Sequence, residues 1–517
     1  MRSAIVCLAL AAACLLPAAA RAADPAPTPA PASQWITIHN DFYWTDTDGN
    51  RILTRSGCLR QFNGTWYWYG GNPRGFREQY VYTSPDLVHW TNKGVIFRET
   101  DYDSNRIDVL YNQPTKKYVM FLKYHGNGAH FAVATSDTPD GQFTLVSQTL
   151  VDNALMGDMS IYEDDDGKAY LCYVSWAVGT NAQHGIYALS DDYLKLDHRV
   201  YLWDIRSREA PHIFKRNGLY YYGTSRTAGI QSSGTAYYTA KNLAGPWSPA
   251  KPLDTPGMDG GPDSKNSWDS QVDFVYPFPN PKDPAATFYM FAGDRWVKNP
   301  QEGRNGDYVW LPMEFDGDTP IVHYYQDWDL NVAAGTWRKF DPVRNLAAGK
   351  PATASSTDGD HPASNVTAPK TYVNYVNTFW QSEAAPDAQW ITVDLQNPTP
   401  IDRVILKWGN SAARDFKIQS SPDNSTWTDL FTTTRGGSNT VTDETFPLTT
   451  ARYIRMTATA RAPIPFTGFA GGRGRGRGNR GGRNGAGSQP TSAPTFTPPP
   501  PPTPTGYTLF DFEVLKD

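Results

Sequence analysis

The residues best placed to do chemistry lie at one phase of a repeat. Five segments share an aromatic strand pattern: NGTWYWYGG (Asn63 to Gly71), TKKYVMFLKY (Thr115 to Tyr124), DGKAYLCYVSW (Asp166 to Trp176), NGLYYYGTS (Asn217 to Ser225) and ATFYMFAGDRW (Ala286 to Trp296). Tyr67, Tyr118, Tyr170, Tyr220 and Tyr289 mark the five copies. About eleven residues upstream of the first four lie Ser56 beside Arg55, Ile107 between Arg106 and Asp108, Met159 beside Asp158, and Glu209. The fifth has a longer approach and offers Trp268, Asp269, Ser270 and Gln271. If these positions converge, Asp158 and Glu209 form a carboxylate pair. One protonates a leaving oxygen, a partner orients water and neighbouring charge tunes the acid, which is the chemistry of glycoside hydrolysis. The competing reading is that Arg106 and Arg208 neutralise Asp158 and Glu209 and the four merely seal a channel.

Convergence needs a propeller, because that fold brings the innermost strand of every blade to one axis. The marker tyrosines recur about every 50 residues, with about 70 before the fifth, the length of a four-stranded blade. A second repeat follows the first: YVYTSPDLVHW (Tyr80 to Trp90), FAVATSDTPDGQF (Phe131 to Phe143), IYALSDDYLKL (Ile186 to Leu196) and AYYTAKNLAGPW (Ala236 to Trp247). The expectation is an all-β chain with a five-bladed propeller over 35–340.

Composition narrows the function. Lys+Arg 47 against Asp+Glu 52 gives a net charge of −5, too balanced for a nucleic-acid footprint. An aromatic content of 13% supports a large β core and excludes disorder for most of the chain. Arg2, the apolar run Ala4 to Leu16 and Ala20-Arg21-Ala22 read as a signal peptide over 1–22, followed by a Pro/Ala-rich spacer over 23–34. A secreted or periplasmic protein follows. No later apolar run has the length of a membrane span. The cysteines left after cleavage, Cys58 and Cys172, read as buried free thiols. His125, His130 and His212 lack metal-site spacing, and EDDDG (Glu163 to Gly167) reads as a hairpin turn and not a calcium loop.

A second all-β region runs over 344–517. Its landmarks are NLAAGKPATASST (Asn345 to Thr357), FWQSE (Phe379 to Glu383), QWITVDLQNPTPIDRVILKWG (Gln389 to Gly409), FKIQSSPDNSTWTDL (Phe416 to Leu430), ARYIRMTA (Ala451 to Ala458) and YTLFDFEVL (Tyr507 to Leu515). These resemble the discoidin or coagulation factor 5/8 type C domain. The resemblance implies an eight-stranded β-sandwich jelly roll whose loops hold sugar and whose rim holds a structural calcium. Between its last two strands lies the Gly/Arg/Pro-rich insertion 461–506, with Arg461, Arg473, Arg475, Arg477, Arg480 and Arg483 and no acid. Such composition cannot bury a core and reads as a disordered loop, dispensable for catalysis.

The propeller resembles glycoside hydrolase family 43, especially its exo-β-1,3-galactanase-like branch. The resemblance rests on WTDTDGNRI (Trp44 to Ile52), RIDVLYN (Arg106 to Asn112), DMSIYEDDDGKAYL (Asp158 to Leu171), REAPHIFKRNGLYYY (Arg208 to Tyr222), LAGPWS (Leu243 to Ser248), SWDSQ (Ser267 to Gln271) and GDRW (Gly293 to Trp296). It implies that Glu209 is the general acid and that Asp158 tunes it. The family's aspartate base is missing, since Thr54-Arg55-Ser56-Gly57 stands in its place. The branch lacks it too, and the resemblance assigns water positioning to Gln271, although a neutral amide is a poor base. Asn105 stands where the branch has a glutamate, with Asp108 as a substitute. Arg106, Asp108, Trp268, Arg295 and Trp296 are candidates for holding sugar, the tryptophans by stacking, as is Trp176.

The leading expectation is a secreted, monomeric, inverting exo-glycosidase acting on β-1,3-galactan. It needs no cofactor, carries an appended sugar-binding domain, and binds neither nucleic acid nor membrane. A galactofuranosidase or α-L-arabinofuranosidase of the same family is the alternative. A catalytically silent carbohydrate-binding propeller is the third.

Overall fold

The computed structural model describes residues 35–72, 76–99, 103–126, 128–176, 183–229, 231–253, 264–296, 306–370, 377–463 and 505–517. The signal-like segment, the spacer and most of the Arg-rich insertion lie outside them. No helix among the described residues is long and apolar enough to cross a membrane.

Each marker tyrosine falls in the second strand of a four-stranded antiparallel sheet. The first two strands of these sheets are Arg55–Phe62 with Thr65–Gly71, Ser104–Asn112 with Lys117–Gly126, Leu155–Glu163 with Ala169–Trp176, Arg208–Arg216 with Leu219–Arg226, and Gln271–Phe278 with Phe288–Asp294. The sequence dictates the hairpins locally. Asn63-Gly64 and Asn217-Gly218 both take positive φ (51° and 80°, 51° and 74°), the twist-matched two-residue turn that Asn-Gly favours. The Glu163 to Gly167 segment is likewise a turn, closed by the Gly167 N–H donating to the Asp164 carbonyl at 2.9 Å.

The five first strands pack in succession around one axis, and the last, Gln271–Phe278, returns to the first, Arg55–Phe62. Among the described residues the propeller region nevertheless holds six sheets and not the five expected. A sixth sheet, three-stranded, joins Ile36–His39 to Asp327–Asn331 and Thr336–Lys339. Its Ile38, Trp328 and Leu330 pack with Leu59, Trp68, Met290 and Trp310 of the first and fifth sheets. Its strands come from opposite ends of the propeller region and carry no 50-residue repeat, so periodicity cannot reveal it. Cys58 and Cys172 are free and buried in separate clusters.

The C-terminal region is a β-sandwich. Two long strands, Gln389–Trp408 and Val441–Arg461, pair along their length with register shifts that carry them round the sandwich. Thr508–Leu515 pairs with Gln389–Trp408, so the strand after the insertion completes the fold. Trp380, Ile391, Leu406, Trp408, Ile454 and Phe512 are central to the core. Seven strands are present among the described residues where eight are implied. No three His, Cys, Asp or Glu side chains among the described residues converge to hold a metal. The implied calcium therefore finds no carboxylate cluster here.

Sandwich and sixth sheet meet in a buried ionic clasp. His39 Nδ1 lies 2.6 Å from Asp327 Oδ1 and its Nε2 lies 3.1 Å from Asp443 Oδ2. Lys407 Nζ donates to Asp327 Oδ2 at 2.7 Å, and Arg403 Nη2 to Thr37 Oγ1 at 2.7 Å. Burial alone would lower the His39 pKa, but the two carboxylates overcome it and raise it to about 9. The raised pKa gives stability that is complete below the ordinary value of 6.5 and lost as pH rises through 9. That shift corresponds to about 3 kcal/mol. The melting temperature should therefore fall between pH 6.5 and 9.5, and His39→Gln should flatten that slope. A wild-type melting curve indifferent to pH over this window would contradict the charged clasp.

Candidate active site

The axial end of every first strand is irregular in the same way. Pairing with the second strand slips between Arg55 and Cys58, Asn105 and Asp108, Met156 and Met159, Glu209 and His212, and Val272 and Phe274. Ser56, Arg106 and Ala210 inside three of these bulges take φ near +50° (53°, 52° and 51°), a conformation few side chains adopt. A bulge re-aims side chains that a regular strand would send to alternate faces. Here the bulges bring Arg106, Asp158, Glu209, Gln271 and Asp273 together.

Asp158 is the fixed charge. Its Oδ2 lies 3.1 Å from Arg106 Nη2 and accepts from the Ala210 N–H at 3.2 Å, while Oδ1 accepts from Lys123 Nζ at 3.2 Å. Burial pushes its pKa up, but the Arg106 and Lys123 charges outweigh this and hold it below the usual carboxylate range. Glu209 is the opposite case. Arg208, its sequence neighbour, turns away to donate to Thr224 Oγ1 and to the Thr224 and Gly234 carbonyls. Burial and then the Asp158 charge raise the Glu209 pKa. Its Oε1 accepts from Gln271 Nε2 at 2.7 Å and from the Ala228 N–H at 3.2 Å. With two donors on Oε1, the proton of neutral Glu209 sits on Oε2. The pair thus holds one ionised and one protonatable carboxyl, the division of labour an acid-catalysed cleavage requires.

Gln271 is saturated. Its Oε1 accepts from Arg106 Nη2 at 3.1 Å and from Trp296 Nε1 at 2.9 Å, and its Nε2 donates to Glu209 and, at 3.1 Å, to Ser225 Oγ. Arg106 and Trp296 can only donate, which fixes the amide's orientation. Trp296 is half-buried beneath Arg55, whose guanidinium lies 5.0 Å from the indole centroid.

The remaining sequence candidates lie elsewhere. The Asp108 carboxylate is engaged by Arg60 and by the Val109 and Ile161 N–H groups, tying three sheets together. It is not free to replace the missing glutamate. Trp268 is 1% exposed and sits edge-on to Phe291 in the core. Arg295 is fully buried, paired with Asp41 at 2.9 Å. Both are corrected from sugar contacts to structural residues, because motif neighbourhood reports proximity along the chain and not which way a side chain turns. The side chain of Trp176 lies outside the described residues.

Several participants were not anticipated. Lys123 and Ser225 come from second strands, which the repeat phase does not mark. Asp273 and Asp294 of the fifth sheet reach across to the first, accepting from the Gly57 N–H at 3.0 Å and the Ser56 N–H at 2.7 Å. Asp273 also pairs with Arg106 at 2.9 Å. Burial and then the Asp294 charge lift the Asp273 pKa well above the carboxylate range, and burial moves Asp294 to about 6. Where the first blade lacks an aspartate, the fifth supplies two carboxyls from the opposite side of the closure. The signal for Asp273 was its alternation with Gln271 in QVD. Asn105 Oδ1 is buried with no partner among the described residues. An axial cavity of about 50 Å³ shares Arg106 and Asp273 with the site but is lined by neither Glu209 nor Gln271.

Residues 57–270 match the model of glycosyl hydrolases family 43. That match takes in the first four propeller sheets. Residues 351–467 match the F5/8 type C domain. A β-D-galactofuranosidase of Aspergillus niger is 30% identical over 214 residues, covering 37% of this chain. The chain spans about three-fifths of that relative, 61% of its length. An exo-β-1,3-galactanase structure from Phanerochaete chrysosporium superposes with a TM-score of 0.53 at 24% identity, covering 82% of this chain and 96% of that one. One from Clostridium thermocellum gives 0.52 at 22% identity over 82% and 96%. At these identities the structural likeness establishes the shared fold.

Proposed function

We propose that the family 43 propeller is an inverting exo-glycosidase that releases galactose from β-1,3-galactan. The observation carrying this reading is Glu209, lifted in pKa beside an ionised Asp158 and held so that Oε2 bears the proton. Glu209 Oε2 gives its proton to the glycosidic oxygen as the bond to the anomeric carbon breaks. Water attacks that carbon from the opposite face and releases its proton to solvent, from which Glu209 is reprotonated for the next turnover. Gln271 lies against the acid, and it holds that water only by exchanging one of its present partners, Ser225 or Trp296. The C-terminal domain binds sugar, and the chain is exported after cleavage following Ala22.

Gln271→Ala is expected to lower turnover about 100-fold. It also removes a hydrogen bond that favours ionised Glu209, so the alkaline limb of the pH–kcat/KM profile should move to higher pH. An unmoved limb contradicts the contact between them. A β-galactofuranosidase is the second reading, favoured by the Aspergillus relative. Galactose release from β-1,3-galactobiose, measured beside nitrophenyl galactofuranoside and arabinofuranoside, decides between the two. Turnover of the furanosides alone overturns the galactanase reading.

A further inference from the structure

The outer face of the sandwich carries a cation that no acid among the described residues answers. Arg455 lies on Val441–Arg461 between Thr392 of one neighbouring strand and Gln419 of the other, and Thr457 stands between Trp390 and Lys417 in the adjacent row. The intervening residues Ile391, Ile454, Met456 and Ile418 are buried in the sandwich core. By strand alternation the two rows therefore face away from it. Trp427 joins them from the turn before Thr428–Thr433.

The Arg455 guanidinium is clasped between two half-buried indoles, 3.8 Å from the Trp427 ring centroid and 4.5 Å from that of Trp390. Its Nε donates to Thr392 Oγ1 at 2.8 Å and its Nη2 to Asn424 Oδ1 at 3.3 Å. Those bonds use two of the five guanidinium N–H groups. Neighbouring cations have acids: Arg452 pairs with Asp394, Lys417 with Asp429 and Arg461 with Asp387. Among the described residues Arg455 has none, and burial holds its pKa below the ordinary value. A partly desolvated charge is costly until a counter-charge reaches it, and a guanidinium fork matches a carboxylate in shape.

We propose that this face binds an acidic polysaccharide through a uronate residue, whose carboxylate meets the unused N–H edge of Arg455 while its ring lies against Trp390 and Trp427. A neutral sugar would leave the charge unanswered. A nucleic-acid strand would need a track of cations, and Lys417, the nearest other cation in these two rows, is already paired.

The test is affinity electrophoresis of the full chain through polygalacturonate and, in parallel, through the same polymer methyl-esterified. Retention by the acidic polymer and not by the ester is expected. Arg455→Ala and Trp427→Ala should each weaken it about 10-fold or more, with β-1,3-galactobiose turnover unchanged. Arg455→Lys, which restores charge without the planar fork, should recover it in part. Equal retention by the ester, or retention untouched by Arg455→Ala and Trp427→Ala, overturns the proposal. So does retention abolished by replacing 464–504 with a short Gly/Ser turn, which would assign binding to that tract's arginines. The readout is binding, so its outcome stands apart from the hydrolytic reading.

Discussion

Glu209→Gln is expected to lower kcat on β-1,3-galactobiose by about 10²- to 10⁴-fold with KM little changed. That is the range by which a positioned general acid accelerates such a reaction. The amide can still accept from Gln271 Nε2 and the Ala228 N–H, so the site keeps its shape and loses only the transferable proton on Oε2. The loss should shrink on an aryl galactoside whose leaving group departs without protonation. That contrast separates lost acid catalysis from misfolding, which would depress both substrates alike. A decrease under 10-fold on the disaccharide would remove Glu209 from the role of acid.

Asp158→Asn should cost about 10- to 100-fold at the wild-type optimum, and the loss should depend on pH in a defined direction. As the proposed acid, Glu209 would act while protonated, so activity is expected below its pKa and should fade above it. Burial and then the Asp158 charge raise that pKa. Removing the charge lowers it, and it leaves Arg106, which already favours ionised Glu209, without this partner. The alkaline limb must move to lower pH, and at high pH the protonated acid falls about tenfold for every pH unit the limb moves. Part of the activity should return on acidification. Gln271→Ala moves the same limb the other way, so the two variants bracket the acid. A limb that moves up in Asp158→Asn would contradict the electrostatic account.

How much of this was legible in the sequence follows from the range of the interactions. Tyr67, Tyr118, Tyr170, Tyr220 and Tyr289 revealed the second strands because each hairpin is local and repeated. Asp158 and Glu209 stood out by their phase in that repeat, while Gln271, off that phase, and the roles of all three came from the resemblance to family 43. What stayed hidden depends on distant partners. The sixth sheet joins Ile36–His39 to Asp327–Asn331, and His39 reaches an Asp443 that is 404 residues away. Asp273 and Asp294 have a role only once the fifth sheet closes on the first. Trp268 and Arg295 occupy the right motifs, but both lie outside the strand ends, where packing on Phe291 and pairing with Asp41 turn them into the core. Arg455 drew no notice because its meaning lies in two indoles, one from the paired strand and one from a turn.

With Glu209 as the proposed acid, the cleavage is a single displacement. Proton NMR of β-1,3-galactobiose hydrolysis, read before mutarotation equilibrates the products, checks this. The galactose first released from the non-reducing end is expected to be the α-anomer, inverted from the β-linkage. β-Galactose appearing first would require a covalent nucleophile, which the amide of Gln271 cannot be, and would contradict the site as described.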